Sequence, residues 1–194
     1  MFNSQPDQPI RVVPLRPPGG LIGAAAPAAA AAQLTYRDGP LLANVKVFTI
    51  FWGTVWQQAD QSDLVDQLNG FFDAVLASPL MDQLSEYSVP AYSIGQGTHI
   101  GTLNVDSPDA QGTVDDSAIQ DLLQQLIAND TVPQPDADTL YFVFLPTGVS
   151  VTQGGSVSCQ QFCGYHDAMS GNVFYAVMPF PDCSGCLGNM DVFD

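Results

Sequence analysis

The stretch Asn44-Val-Lys-Val-Phe-Thr-Ile-Phe-Trp52, ended by Gly53, decides the fold. It is an almost unbroken run of β-branched and aromatic residues, the pattern of a central strand buried on both faces. Beyond it the period changes. Leu64, Leu68, Phe71, Phe72, Val75 and Leu76 recur at three- and four-residue steps. With Asp60 as N-cap and Asp63 in the first turn, the spacing predicts a helix to about Ala77, stopped by Pro79. A second helix is predicted over Asp115 to Asn129, where Ile119, Leu122, Leu123, Leu126 and Ile127 form an apolar stripe and Thr113 stands in capping-box spacing to Asp116. Leu140-Tyr-Phe-Val-Phe-Leu145, closed by Pro146, reads as a second central strand, and Asn172 to Phe180 as a longer apolar strand between the two cysteine pairs. Tyr87 to Val105, with glycines and alternating apolar residues, reads as an edge strand or hairpin. The alternation of strand and helix predicts an α/β fold, a mixed β-sheet with packed helices, with α+β as the alternative.

At 194 residues and 46% hydrophobic composition, the chain can bury roughly 70% of its unfolded surface, enough for one core. Residues 1–33 do not read as part of it. They are rich in Pro, Gln and Ala without apolar periodicity, and are expected to be a disordered leader or linker. Ala28-x-Ala30 has the small-residue spacing of a signal cleavage site, but the run before it is poor in Leu and Val and carries only Arg11 and Arg16, so no clear signal peptide emerges. Residues 34–194 are expected to form a single α/β domain. No stretch is long and apolar enough to span a bilayer.

Four basic residues against twenty acidic ones give a formal charge of −16. That field repels nucleic acid and anionic lipid, so neither is expected as a partner. It suits solvation of an acidic surface. Calcium is a weaker alternative, carried by Asp106 and Asp109, Asp115 and Asp116, and Asp136 and Asp138, none of which fits a spaced calcium loop.

All four cysteines fall in one constellation: Cys159-x3-Cys163-x2-His166, then Cys183-x2-Cys186. Three readings are open. As zinc ligands the four thiolates suffice, or His166 replaces one, and the second pair has the spacing of a zinc knuckle. As disulfides, a local bridge contributes roughly 2 kcal/mol in the chain-entropy model and a crossed one roughly 3 to 4, so crossed bridges are the better staple. The sequence does not choose between Cys159–Cys183 with Cys163–Cys186 and the reverse. As a redox pair, Cys183-x2-Cys186 lacks the helix opening that thioredoxin-like sites use.

Other chemistry is sparse. Cys163 and His166 have the residue types of a nucleophilic pair, but no Asn or Asp is placed by spacing to orient the imidazole. His99, in a Gly-rich segment, reads as a hydrogen-bonded or surface residue. No Gly-x-Ser-x-Gly elbow localises a hydrolase triad. Trp52 and Trp56 flank a strand-to-loop transition beside Gln57, Gln58 and Asp60. Exposed, they would form a platform for a glycan, peptide or protein ligand; buried, they are core.

Three separated motifs carry a family resemblance. Tyr36-Arg-Asp-Gly-Pro-Leu-Leu42 leads into Val45 to Gly53; Phe162-Cys-Gly-Tyr-His166 follows; and Phe174-Tyr-Ala-Val177 precedes Cys183-x2-Cys186. In this order, over about Leu34 to Asp194, they resemble the EXORDIUM or phosphate-induced protein family. The resemblance implies an extracellular or cell-envelope protein, associated with the cell wall in plants, and so an oxidising compartment that favours structural disulfides. It also implies kinship with bacterial metallopeptidase-like proteins that continue past the second cysteine pair into Ser-His-Glu-x-x-Glu-Ala-x-Thr-Asp-Pro. There a His and a carboxylate one turn apart can hold zinc while a Glu activates water. This sequence contains no His-Glu pair, and its histidines are His99 and His166. The expectation is therefore a sheet-bearing portion without the zinc helix, truncated at its C-terminal side, with an extracellular carbohydrate- or partner-binding module as the alternative.

Overall fold

In the computed structural model, which describes residues 35–187, the chain runs β1 (Lys46–Trp52), α1 (Ala59–Leu76), α2 (Pro79–Gln83), β2 (Thr98–Val105), β3 (Thr113–Asp115), α3 (Asp116–Ala128), β4 (Thr139–Phe144), β5 (Ser150–Gln153), β6 (Ser156–Val157), β7 (Tyr165–Met169), β8 (Val173–Met178) and α4 (Ser184–Leu187). The leader expected over residues 1–33 lies outside the described residues. So does the end of the chain from residue 188, on which the expected truncation falls. The described residues from Gly39 onward belong to one compact unit.

The fold is α/β, as the strand and helix periods require. Five strands form the main sheet in the order β2-β1-β4-β8-β7. β1, β2, β4 and β8 are parallel, and β7 returns antiparallel against β8 through a hairpin. A second sheet, β3-β5-β6, has β3 parallel to β5 and β6 antiparallel to it. β1 sits inside the main sheet, which is why its side chains are apolar on both faces.

Alternation along the strands separates two cores. Phe48, Ile50 and Trp52 of β1 face Ile119, Leu122 and Leu123 of α3, together with Val114 and Val151 of the small sheet. Val47 and Phe51 face Leu64, Val65, Phe72 and Leu76 of α1. The sheet is thus the middle of three layers.

The helix starts differ from the sequence reading. α1 takes Gln58 as its N-cap residue with no side-chain capping bond, and Asp60 lies in the first turn. A 3-10 turn at Thr54–Gln57 feeds the helix directly and displaces the start from Asp60. At α3 the cap is Asp115, whose side chain accepts from the Ser117 N–H. Thr113 is held extended in β3 by pairing with Ser150, so it cannot cap. Pro79 ends α1 and also opens α2, where Ser78 caps it and the missing N–H costs nothing.

Candidate functional site

From β1 the chain moves first to β2 on one side and later to β4 on the other, so the strand order reverses between β1 and β4. In open parallel sheets, ligands bind outside the carboxyl ends of the strands at such a reversal. Three features gather at that edge here.

The first is a braced turn. Gly53 has φ +132°, and a Cβ there would stand 2.8 Å from Pro146 Cγ, so the close approach of the β1 and β4 ends requires glycine. Asp109 Oδ1 accepts the Thr54 N–H at 2.8 Å, while Oδ2 accepts from Thr54 Oγ1 at 3.2 Å and Gln111 Nε2 at 3.0 Å. The Gln111 and Thr54 bonds hold the carboxyl of Asp109 below its ordinary value.

The second is the cysteine clamp. Cys159 is bonded to Cys183 and Cys163 to Cys186, with Cα separations of 5.9 and 5.4 Å. Both bridges are crossed, joining the loop before β7 to the segment after β8. The sulfurs of Cys159, Cys183 and Cys186 lie within 4.8 Å of one another, the crowding that one metal would impose. In the S–S form they are not thiolates, the state in which zinc is bound. Cys163 has no free thiol to pair with His166 as a nucleophile. His166 itself is exposed in β7, in register with Ala176.

The third is an apolar groove of about 270 Å³, walled by Trp56, Leu64, Leu68, Phe71, Met178 and Phe180. It exists because α1 lies over β2 and β1, reaches β4 through Phe72 and leaves β8 uncovered. Its far wall is the segment leaving β8, Pro179-Phe180-Pro181, that runs on to Cys183 and the clamp. Phe71 stands at the groove 58% exposed.

The two tryptophans named from the sequence lie on opposite faces of the sheet. Trp52 is 5% exposed and donates from Nε1 to the Pro108 carbonyl at 2.6 Å. Trp56 is 1% exposed, packs edge-on against Phe51 and lines the groove. Neither ring offers an open face to solvent. The Trp56 indole N–H is buried without a hydrogen-bond partner, as is Gln61 Oε1 in the first turn of α1.

The carboxylates considered for calcium are engaged in the protein's own hydrogen bonds. Gln57 Nε2 donates to Asp106 at 3.3 Å. Asp115 caps α3 and accepts from Thr152 Oγ1 at 2.8 Å. Asp136 accepts from Lys46 Nζ and Thr139 Oγ1, which lowers its pKa to about 2. Asp138 accepts the Ala43 and Asn44 N–H groups. Among the described residues, no three carboxylates converge on one point.

Two polar constellations carry no signal in the sequence spacing. Asp116 Oδ1 accepts from Tyr165 and Tyr175 hydroxyls at 2.5 and 2.9 Å, and Oδ2 accepts from Gln120 at 2.6 Å. Burial, then the bond to Asp116, raises both tyrosine pKa values. This cluster ties β7 and β8 to the start of α3. On the other face, Asp73 Oδ1 lies 3.1 Å from His99 Nδ1, and His99 Nε2 lies 3.1 Å from Thr49 Oγ1. Carboxylate, imidazole and hydroxyl follow in triad order. However, Thr49 is 0% exposed, and its one hydroxyl proton is donated to Asn69 Oδ1 at 2.7 Å rather than to the imidazole. No substrate reaches that hydroxyl, and the chain of bonds anchors α1 to β1 and β2. His99 is thus a hydrogen-bonded residue of β2.

No family model matches the chain, and neither a curated protein nor a solved structure matches it.

Proposed function

We propose that this chain is the partner-binding, sheet-bearing portion of an EXORDIUM-like extracellular protein, and that the apolar groove between α1 and the end of β8 is its binding surface. The observation that carries the reading is the coincidence of groove and clamp. The segment forming the groove wall, Pro179-Phe180-Pro181, runs directly into Cys183, which a disulfide ties to Cys159. A binding wall held this way loses less freedom when a ligand enters. Two crossed bridges also favour an oxidising compartment, in keeping with the resemblance.

Catalysis is assigned to no described residue. The cysteines are paired, the Asp73–His99–Thr49 chain ends on a buried hydroxyl, and the zinc helix that the resemblance implies has no counterpart in this sequence. Fluorescence titration with the uncharged apolar probe N-phenyl-1-naphthylamine tests the binding surface. One saturable site is expected, weakened in Phe71→Asp, whose parent side chain is exposed enough for the fold to tolerate the change. Unsaturable binding, or a Phe71→Asp protein that binds the probe as well as the parent, would sink the assignment. Zinc stoichiometry and peptidase assays complete the test, since peptidase activity with bound zinc would overturn the non-catalytic part.

A further inference from the structure

The charges around the groove specify what it takes. Two rows of α1 lead to it at four-residue steps: Asp60–Leu64–Leu68 and Asp63–Gln67–Phe71. Side chains at that spacing share one face of a helix. Each row therefore begins with an exposed carboxylate and ends on a groove-lining apolar side chain. The opposite wall has the same order in reverse, since Pro181 lines the groove and the exposed Asp182 follows it. Asp182 is near the clamp end, accepting from Thr147 Oγ1 at 2.9 Å. All three carboxylates thus sit toward the carboxyl edge of the sheet, at one end of an otherwise apolar trough. No basic side chain lines the groove. Arg37 and Lys46 are the only arginine and lysine side chains among the described residues, and Lys46 is paired with Asp136.

We propose that the groove binds a basic amphipathic helix of a partner protein, with two or three apolar anchors in the trough and lysine or arginine side chains over Asp60, Asp63 and Asp182. The inference rests on the groove being the binding surface and adds the class of partner. A volume of about 270 Å³ holds about two leucine-sized or aromatic side chains, the size of an anchor cluster and at the small end for a whole small-molecule ligand. Recognition by anchors at helical spacing in an apolar groove is a recurrent mode. The carboxylates discriminate by charge, since an acidic or anionic amphiphile with the same apolar face meets repulsion from a −16 chain.

The test uses the full chain and two synthetic helical peptides of about 18 residues, long enough for five turns. They share one leucine face and differ in carrying lysines or glutamates at one end. The lysine peptide is expected to bind at least about tenfold tighter at low salt, with the gap narrowing as salt shortens the screening length. Phe71→Asp is expected to weaken its binding. Asp60→Asn with Asp63→Asn is expected to shrink the difference between the peptides, whereas Asp121→Asn with Asp130→Asn, away from the groove, leaves it unchanged.

Equal binding of both peptides would overturn the basic partner while the groove stands. Lysine-peptide binding insensitive to Phe71→Asp, or reduced equally by both pairs of Asn substitutions, would mean adsorption to the acidic surface and overturn it too. Failure of both peptides while N-phenyl-1-naphthylamine still binds overturns the partner class alone. Failure of peptides and probe together overturns the binding surface as well.

Discussion

The two faces of the main sheet receive similar side chains and are closed to different extents. Over the α3 face lie a helix and a second sheet, and Tyr141, Val143, Tyr175 and Val177 beneath them are almost wholly buried. A polar cluster, Tyr165–Asp116–Tyr175, then fastens the hairpin β7–β8 to the helix on that side. Over the α1 face lies one long helix, seated on β2 and β1 and reaching β4 through Phe72, and the ground between it and β8 is left as a trough with Phe71 standing in solvent. Equal hydrophobicity on a parallel strand thus does not mean equal cover. What decides cover is which crossover helix passes over the strand, and that is a property of topology.

The largest effects are expected from the clamp, because it joins segments 24 and 23 residues apart in sequence. Replacing all four cysteines by Ser is expected to cost about 6 kcal/mol in the chain-entropy model, about 3.5 for the long loop and about 2.5 for the short loop that the second bridge closes within it, measured by denaturant unfolding. A change below about 1 kcal/mol would mean that the bridges do little to the unfolded chain.

Next come paired truncations across the faces. Leu123→Ala, at a fully buried position on the closed face, is expected to cost about 2 to 5 kcal/mol. Phe71→Ala on the open face is expected to stay within about 0.5 kcal/mol. Similar losses at the two positions would show that the trough is occupied in the folded protein.

Tyr165→Phe removes one donor to Asp116 and is expected to cost about 1.5 to 3 kcal/mol, the range for a hydrogen bond to a charged group. Three tyrosines, two of them in this cluster, set the alkaline limb of stability. Burial, then the charge of Asp136, raises Tyr141 to about 12, and Tyr165 and Tyr175 are raised by burial and Asp116. The unfolded chain releases these protons first, from about pH 10. Their stabilisation is therefore complete below that pH and lost as the pH climbs through the folded values. Unfolding midpoints measured from neutral pH upward check the sign, and Tyr165→Phe is expected to flatten the fall.

The smallest effect is expected at Asp136. Its pKa of about 2 means that its contribution is present above the ordinary carboxylate range and lost as the pH falls toward that value. The pair with Lys46 is half exposed, so Asp136→Asn is expected to cost at most about 1 kcal/mol.

Much of the fold was legible in the sequence because β1, β4, α1 and α3 carry their periods openly. The turn from Gly53 into α1 was not, since a 3-10 segment leaves no apolar stripe and moves the cap from Asp60 to Gln58. The small sheet was missed because β5 and β6 are four and two residues long, too short for alternation to register. Of the candidate site, the cysteine spacing disclosed a clamp and, by loop length, favoured crossed bridges, but which crossed pair forms depends on where β8 delivers Cys183. Trp56 was visible as a residue and not as a wall of a groove, because the groove depends on Met178 and Phe180, more than a hundred residues away, arriving beside α1. The bonds of Asp116 to Tyr165 and Tyr175 are equally non-local, and no spacing rule finds them.

The most direct test of the contrast between the faces is an NMR titration of the protein labelled at its methionine methyl groups. Met178 lines the apolar groove on the α1 face, whereas Met169 packs against the core of the α3 face beside a mainly polar hollow walled by Gln120, Gln124 and Ser170, which does not suit an apolar probe. On addition of N-phenyl-1-naphthylamine, the Met178 methyl signal is expected to shift with a saturable, one-site dependence while Met169 stays in place. A titration in which Met169 moves and Met178 does not, or in which neither responds, would contradict an open binding groove on the α1 face.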